Sequence, residues 1–157
     1  EGFFNFVSLE KKIRYTLGKK ERLKSRKAIE QLFKEGSSFS IFPFRVLYVI
    51  REEQSFPANN NQSSTAGPGL AAGFTVSSRH FKKAVDRNRV KRLMREAYRL
   101  QKNELQLLPE LYNNNLAVFI IYIGKELPEY EWVYQKTAAV LKRLIKLTRE
   151  DRQSKRR

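Results

Sequence analysis

The sequence predicts an α+β fold in a single domain: a sheet with helices packed on it, in the order α-β-β-β-α-β-α. Three observations lead there. A chain of 157 residues suits one domain with a real core and is short for two. Segments at 44–50, 70–76 and 116–123 are alternating or continuously apolar, as strands are. Segments between and around them carry apolar residues at helical spacing, so the strands need helices to cover them.

The elements follow in chain order. Ser25 is a plausible N-cap for a helix over 25–35, whose Ile29, Leu32 and Phe33 make an apolar strip and whose stop is Gly36. A brief strand is expected at Phe39–Phe42, broken by Pro43. From Phe44 to Ile50 the chain alternates, with Phe44, Val46, Tyr48 and Ile50 on one face and Arg45, Leu47 and Val49 on the other. Residues 52–69 are polar and rich in Gly, Pro, Asn and Ser, which reads as a long mobile loop. Leu70–Val76 is the next strand, and 77–85 a basic connector. Asp86 is then expected to cap a long helix that exits near Pro109 and Asn113–Asn115. Leu116–Ile123 reads as a buried central strand, 124–129 as a turn, and Tyr130–Thr148 as the last helix. Its apolar strip is Tyr134, Ala138, Leu141, Leu144 and Ile145.

The long helix carries the strongest functional signal. At about 3.6 residues per turn, Asn88, Arg92, Arg95, Arg99 and Lys102 share one stripe. Val90, Leu93, Met94, Ala97, Tyr98 and Leu105 fall on the opposite side. Surface helices usually mix both charges, whereas this stripe reads as cationic throughout. A rigid row of guanidinium groups suits a polyanion with regularly spaced phosphates.

Charge elsewhere agrees. The chain carries a formal net charge of +16 and has a pI near 10.3. Residues 11–27 and 79–102 each carry +8, and 142–157 carry +6, so the remainder is net negative. Clustered cations that neutralise phosphates release counterions, which drives nucleic-acid binding. For 152–157 a solvated basic tail is the simpler reading. There is no cysteine, so disulfides and thiolate metal sites are excluded and a reducing, cytoplasmic setting is expected. No apolar run approaches the roughly 18 residues of a membrane helix. The opening Glu-Gly-Phe-Phe lacks a starting Met and the features of a signal peptide, so the natural chain is expected to begin upstream.

Catalytic candidates are few. The single histidine, His80, has Ser77 and Ser78 before it but no acid placed to complete a triad. It reads as a backbone or phosphate contact. The acids are scattered singly or in surface pairs, and no phosphate-binding Gly-Lys loop exists. The chain reads as a binder, with no catalytic residues and no metal site of its own. Ile29, Phe33, Phe44, Val46 and Tyr48 form a second apolar surface. Exposed, it would stack single-stranded bases; packed, it is plain core, which spacing alone favours.

The segment Ala84-Val85-Asp86-Arg87-Asn88-Arg89-Val90-Lys91-Arg92-Leu93-Met94-Arg95-Glu96-Ala97-Tyr98-Arg99 resembles the Arg-Asn-Arg signature of the bacterial ribonuclease P protein subunit. Gly73-Phe74-Thr75-Val76-Ser77 resembles the strand before that signature. Arg22-Leu23, Ile29, Leu32-Phe33 and Gly36 resemble the family's N-terminal pattern, and Val46-Leu47-Tyr48 its second strand. The resemblance implies a domain over 20–148, a basic and apolar N-terminal extension at 1–19, and a basic tail at 149–157. It also implies an α/β (α+β) sandwich with a mixed sheet and a left-handed β-α-β crossover around the signature helix, where general chain geometry favours the right-handed form.

Functionally, the resemblance implies a protein cofactor of a catalytic RNA, the endoribonuclease that removes the 5′ leader from precursor tRNA. The RNA would carry the chemistry and hold most of the Mg²⁺. Contacts to that RNA map to Arg79, Lys82, Lys83, Arg87, Asn88, Arg89, Lys91, Arg92, Arg95 and Arg99. The leader-binding cleft maps to Ile29, Phe33, Val46 and Tyr48. Neither a membrane nor an obligate protein partner is expected. Three departures from the pattern stand out: Ile29 where many relatives carry Phe, Ser78-Arg79 where a Lys pair is common, and a longer loop at 52–69. A general RNA-binding or ribosomal protein would explain the charge and the helix, but not the combined upstream and downstream matches.

Overall fold

The computed structural model describes residues 15–52, 69–108 and 114–156. The interior of the expected loop at 52–69 and the first fourteen residues of the N-terminal extension lie outside these. Four strands form one mixed sheet in the order β1-β2-β4-β3, where β1 is Ser37–Ile41, β2 Phe44–Glu52, β3 Leu70–Val76 and β4 Asn114–Tyr122. β1 and β2 form an antiparallel hairpin that turns at Phe42–Pro43. β2 pairs antiparallel with β4, and β3 pairs parallel with β4.

The helices are α1 (Arg26–Glu35), α2 (Ala84–Gln101), a short α3 (Asn103–Gln106) and α4 (Tyr130–Lys155). α2 lies in the connection between the parallel strands β3 and β4. Ahead of α1, a single 3-10 turn spans Lys19–Glu21. The Ser25 side chain accepts from the Ala28 N–H at 3.4 Å, and the Gly36 N–H closes α1 on the Leu32 carbonyl at 2.8 Å.

Side-chain alternation divides the sheet into two unequal faces. Phe44, Val46, Leu70, Ala72, Val76, Leu116, Val118, Ile120 and Tyr122 point into the main core. There they meet Val90, Met94, Ala97 and Tyr98 of α2 and Val133, Val140, Leu141 and Leu144 of α4. The opposite face carries a smaller cluster of Leu47 and Phe119 beneath Leu32 of α1, edged by Leu23, Ile29, Val49 and Ile121. Ring contacts knit the larger side: Phe74 meets Tyr98 edge-on at 5.3 Å between centroids, and Phe44 meets Tyr122 at 6.0 Å.

Several boundaries differ from expectation. β1 starts two residues earlier, because Ser37 and Ser38 pair with Tyr48 and Leu47. Lys83, not Asp86, occupies the N-cap of α2, and Asp86 sits in the first turn, where its charge favours the helix N-terminus. α2 ends at Gln101 and the chain turns into α3. Asn114 and Asn115 belong to β4, held by pairing with Glu52 and Arg51. The buried strip of α4 runs through Val133, Thr137, Val140 and Leu144, which leaves Tyr134 38% exposed. α4 also continues to Lys155, so the expected loose tail is helical almost to its end, helped by an Asp151–Lys155 ion pair.

Candidate nucleic-acid interface

α2 presents its charge as a rigid surface because its other side is anchored in the core. Val90 and Ala97 are fully buried and Met94 and Tyr98 nearly so, which fixes the rotation of the helix. Asn88, Arg89, Arg92 and Arg95 are exposed on its outer side, and Lys91 is half-buried. Arg79, Lys82 and Lys83 are exposed on the connector that leads into it. His80 is half-buried in that connector and has no side-chain hydrogen bond among the described residues.

Two of the expected contact residues are already engaged within the protein. The Arg87 guanidinium donates to the Phe81 carbonyl at 2.7 Å and the Lys82 carbonyl at 2.8 Å, tying the connector to the first turn of α2. Arg87 therefore sets where Lys82 and Lys83 stand. Arg99 donates to the Glu96 carboxylate at 3.1 Å and to the Tyr15 carbonyl at 3.0 Å. The hydrogen bond from Arg99 holds the Glu96 carboxyl below its ordinary range. Glu96 thus cancels part of the positive field at this end of the helix.

Lys102 departs furthest from its expected place. It is 1% exposed, not on the wet stripe, because the segment before α1 covers this end of α2 and receives its ammonium. Its ammonium donates to both Glu21 carboxylate oxygens at 2.8 Å and to the Thr16 carbonyl. Glu21 also accepts from the Gly18 N–H at 2.7 Å and from the Gln106 amide at 3.1 Å. Burial pushes the Glu21 carboxyl up, but the bonds from Lys102 and Gly18 outweigh it and hold the group below its ordinary range. Close by, burial and then the Glu21 charge push the Tyr98 phenol far up, so it stays neutral.

The expected cleft residues are not brought together. Ile29 is half-buried and Phe33 54% exposed on α1, whereas Val46 is fully buried in the main core beyond the sheet. Tyr48 is half-buried on that same far face, against Phe39 at 5.9 Å between centroids. The cause is the parity of β2: its more apolar face needs the two long helices, and its sparser face takes the short one. The residues that share a surface with α1 are Leu47, Val49, Phe119 and Ile121. Phe33 meets Phe119 edge-on at 5.8 Å. Beside α1 a groove of about 480 Å³ runs between Leu23, Ala28 and Gln31 on one side and Val49, Ala71 and Ala117 on the other. The sequence signal was available: Arg45, Leu47 and Val49 alternate against the aromatic face, and Ile29, Leu32 and Phe33 can cover only a small patch.

Gly73 lies beneath this cluster. A Cβ there would stand 2.7 Å from the Phe119 ring and 3.2 Å from the Leu23 carbonyl. Gly73→Ala is therefore expected to displace the ring and cost about 1–3 kcal/mol, read by chemical denaturation. An unchanged midpoint would show that the ring moves without loss.

Among the described residues, no three His, Asp or Glu side chains cluster closely enough to hold a metal ion. No helix among them is long and apolar enough to cross a membrane.

The family model described as Ribonuclease P matches residues 17–145. A Ribonuclease P protein component from Porphyromonas gingivalis is 33% identical over 133 residues, covering 85% of this chain and 87% of that one. One from Chlorobium phaeobacteroides is 32% identical over 142 residues, covering 85% and 92%. Among solved structures, the RNase P protein from Thermotoga maritima is similar, with a TM-score of 0.50 and 27% identity over 78% of this chain and 96% of that one. The Staphylococcus aureus RNase P protein shares the fold, with a TM-score of 0.55 at 20% identity, covering 78% and 93%.

Proposed function

This chain belongs to the ribonuclease P protein family, and from that premise we propose how it serves its holoenzyme: it grips the RNA subunit through α2 and the 5′ leader of precursor tRNA through the groove beside α1. The protein component is one part of a ribonuclease and the partner of an RNA subunit. In this reading the RNA carries out the bond cleavage and holds the Mg²⁺, and the protein acts in the cytoplasm by binding alone. The observation that carries it is the row of Arg89, Arg92 and Arg95 on one core-anchored helix, exposed and with no bonding partner among the described residues.

Three physical effects follow. Exposed cations on α2 and its connector, Arg79, Lys82, Lys83, Arg89, Arg92 and Arg95, with the half-buried Lys91, lower RNA–RNA repulsion and so reduce the Mg²⁺ that cleavage needs. Fixed side chains on a rigid helix set the register of the protein on the RNA, with Asn88 adding a neutral hydrogen-bonding contact. Arg87 and Arg99 contribute by positioning, since each is spent on backbone or carboxylate oxygens. The α1 groove adds affinity for a strand that mature tRNA lacks. Val49 and Ala28 line the groove for van der Waals contact; outside it, on the same side of the sheet, Phe33 packs on Phe119 and offers an aromatic face, with Ile29 on the same helix. Val46 and Tyr48 stand on the far side of the sheet and take no part.

The direct test is 5′-leader cleavage of a precursor tRNA at low Mg²⁺, with protein alone, ribonuclease P RNA alone, and both. Strong cleavage only with both supports the reading. Cleavage by the protein alone would place an active site in this chain. Tight RNA binding without stimulation would return it to the general RNA-binding class. For the α1 side of the sheet, Phe33→Ala is expected to weaken precursor binding by about tenfold, the lower end of a base-stacking contribution. Affinity for mature tRNA should not change; equal losses for both would remove the Phe33 face from the mechanism.

A further inference from the structure

One charged surface extends the α2 stripe. Residues 15–22 form a strap across the C-terminal half of α2, and the strap and the helix enclose a groove of about 660 Å³. Arg22 projects from the strap, Arg92 and Arg95 from the helix, and Leu17 and Leu93 form an apolar floor. Arg99 and Glu96 also line the groove but are paired with each other. Arg22, Arg92 and Arg95 are exposed, and their side chains make no hydrogen bond or ion pair among the described residues. Three cations around a partly apolar trough match an RNA backbone, which presents phosphates with sugar and base edges between them.

The strap is held at both ends. At one end Lys102 and Arg99 bond the carbonyls of Thr16 and Tyr15, and Lys102 pairs with Glu21. At the other, Leu23 donates to the Ala72 carbonyl at 2.9 Å, and Arg22 bridges to β3. A buried ion pair is costly to desolvate, and an apolar pair would fill the same space. What the ion pair adds is directional hydrogen bonds that fix the strap against α2, and with it the place of Arg22.

We propose that the strap and α2 together form a walled RNA-backbone groove, in which Arg22 faces Arg92 and Arg95 of the α2 row, and that Lys102 and Glu21 are the positioning residues that set its width. The proposal rests on the reading of α2 as an RNA-binding helix and adds a wall that the helix alone does not supply. The strand it takes is a stretch of the RNA subunit's phosphodiester backbone.

The test measures binding to ribonuclease P RNA across a salt series, and in a second arm the binding of precursor tRNA to the assembled holoenzyme. At about 0.15 M salt one phosphate contact is worth about fivefold in affinity and nearly one unit of the log–log salt slope. Arg22→Ala is expected to show that loss in the first arm. A loss confined to the second arm would reassign the strand to the precursor and overturn the choice of the RNA subunit. No loss in either arm, while Arg89→Ala still weakens binding, would overturn the groove and leave the α2 reading intact. No loss with Arg89→Ala as well would overturn that reading itself. Lys102→Met should reproduce the Arg22→Ala loss, and the two together should lose no more than one alone. Additive losses would overturn the positioning role. Glu21→Gln, which keeps the shape of the site, makes the same comparison if Lys102→Met does not fold.

Discussion

Replacing Arg89, Arg92 and Arg95 together by alanine is expected to lower affinity for the RNA subunit about 100-fold at 0.15 M salt, with the log–log salt slope falling by two to three units. All three side chains are exposed and unpaired among the described residues, so their removal costs no internal contact. Stability should stay within about 0.5 kcal/mol per site, the usual range for surface substitutions. The experiment is a filter-binding titration at four or five salt concentrations, with a thermal melt of each protein. A loss of binding with an unchanged slope would mean that the arginines act through shape and not charge. Unchanged binding would move the RNA contact off α2 altogether.

The largest expected loss of stability comes from Lys102→Ala. Removing one partner of a buried pair leaves the other without compensation, typically at about 3–5 kcal/mol. Glu21 keeps 23% of its side chain exposed and can recover some hydration, so a loss of about 2–3 kcal/mol is expected here. In a chain of this size that lowers the melting temperature by about 5–10 °C. The pH dependence provides a second readout. Because the folded Glu21 carboxyl titrates below its ordinary value of 4.5, its contribution is present above that pH and is lost as pH falls through the lower, folded value. Lys102→Ala should flatten this acid-side decline, since the ammonium is the main source of the depression. A decline of equal steepness in both proteins would assign it to other carboxylates.

Much of the architecture was legible in the chain. Ser25 and Gly36 bracket α1, alternation identifies β2, and the continuous apolar run identifies β4 as central, because these signals are local. The amphipathic face of α2 was equally legible through Val90, Met94, Ala97 and Tyr98. What escaped were choices made by tertiary contacts. Helical spacing continues the cationic stripe to Lys102, but spacing cannot show that α2 stops there, or that Glu21, 81 residues away, waits for that ammonium. Alternation separates Val46 from Leu47, but only the small apolar strip of α1, weighed against the two faces, indicates which of them receives the short helix. Arg87 and Arg99 match the charge pattern, yet each is consumed by oxygen atoms that only the folded chain brings within reach.

The sheet itself works as insulation. With α1 on one face and α2 and α4 on the other, a fully packed layer that includes Val46, Val118 and Ile120 separates the two outer surfaces. Changes at distant sites without shared partners act independently. Substitutions around Phe33 and Val49 can therefore accumulate without disturbing the arginine row of α2, and the reverse also holds. On the proposed function, the α1 surface is free to drift with the leader sequences it meets while the α2 surface keeps pace with a single long-term partner.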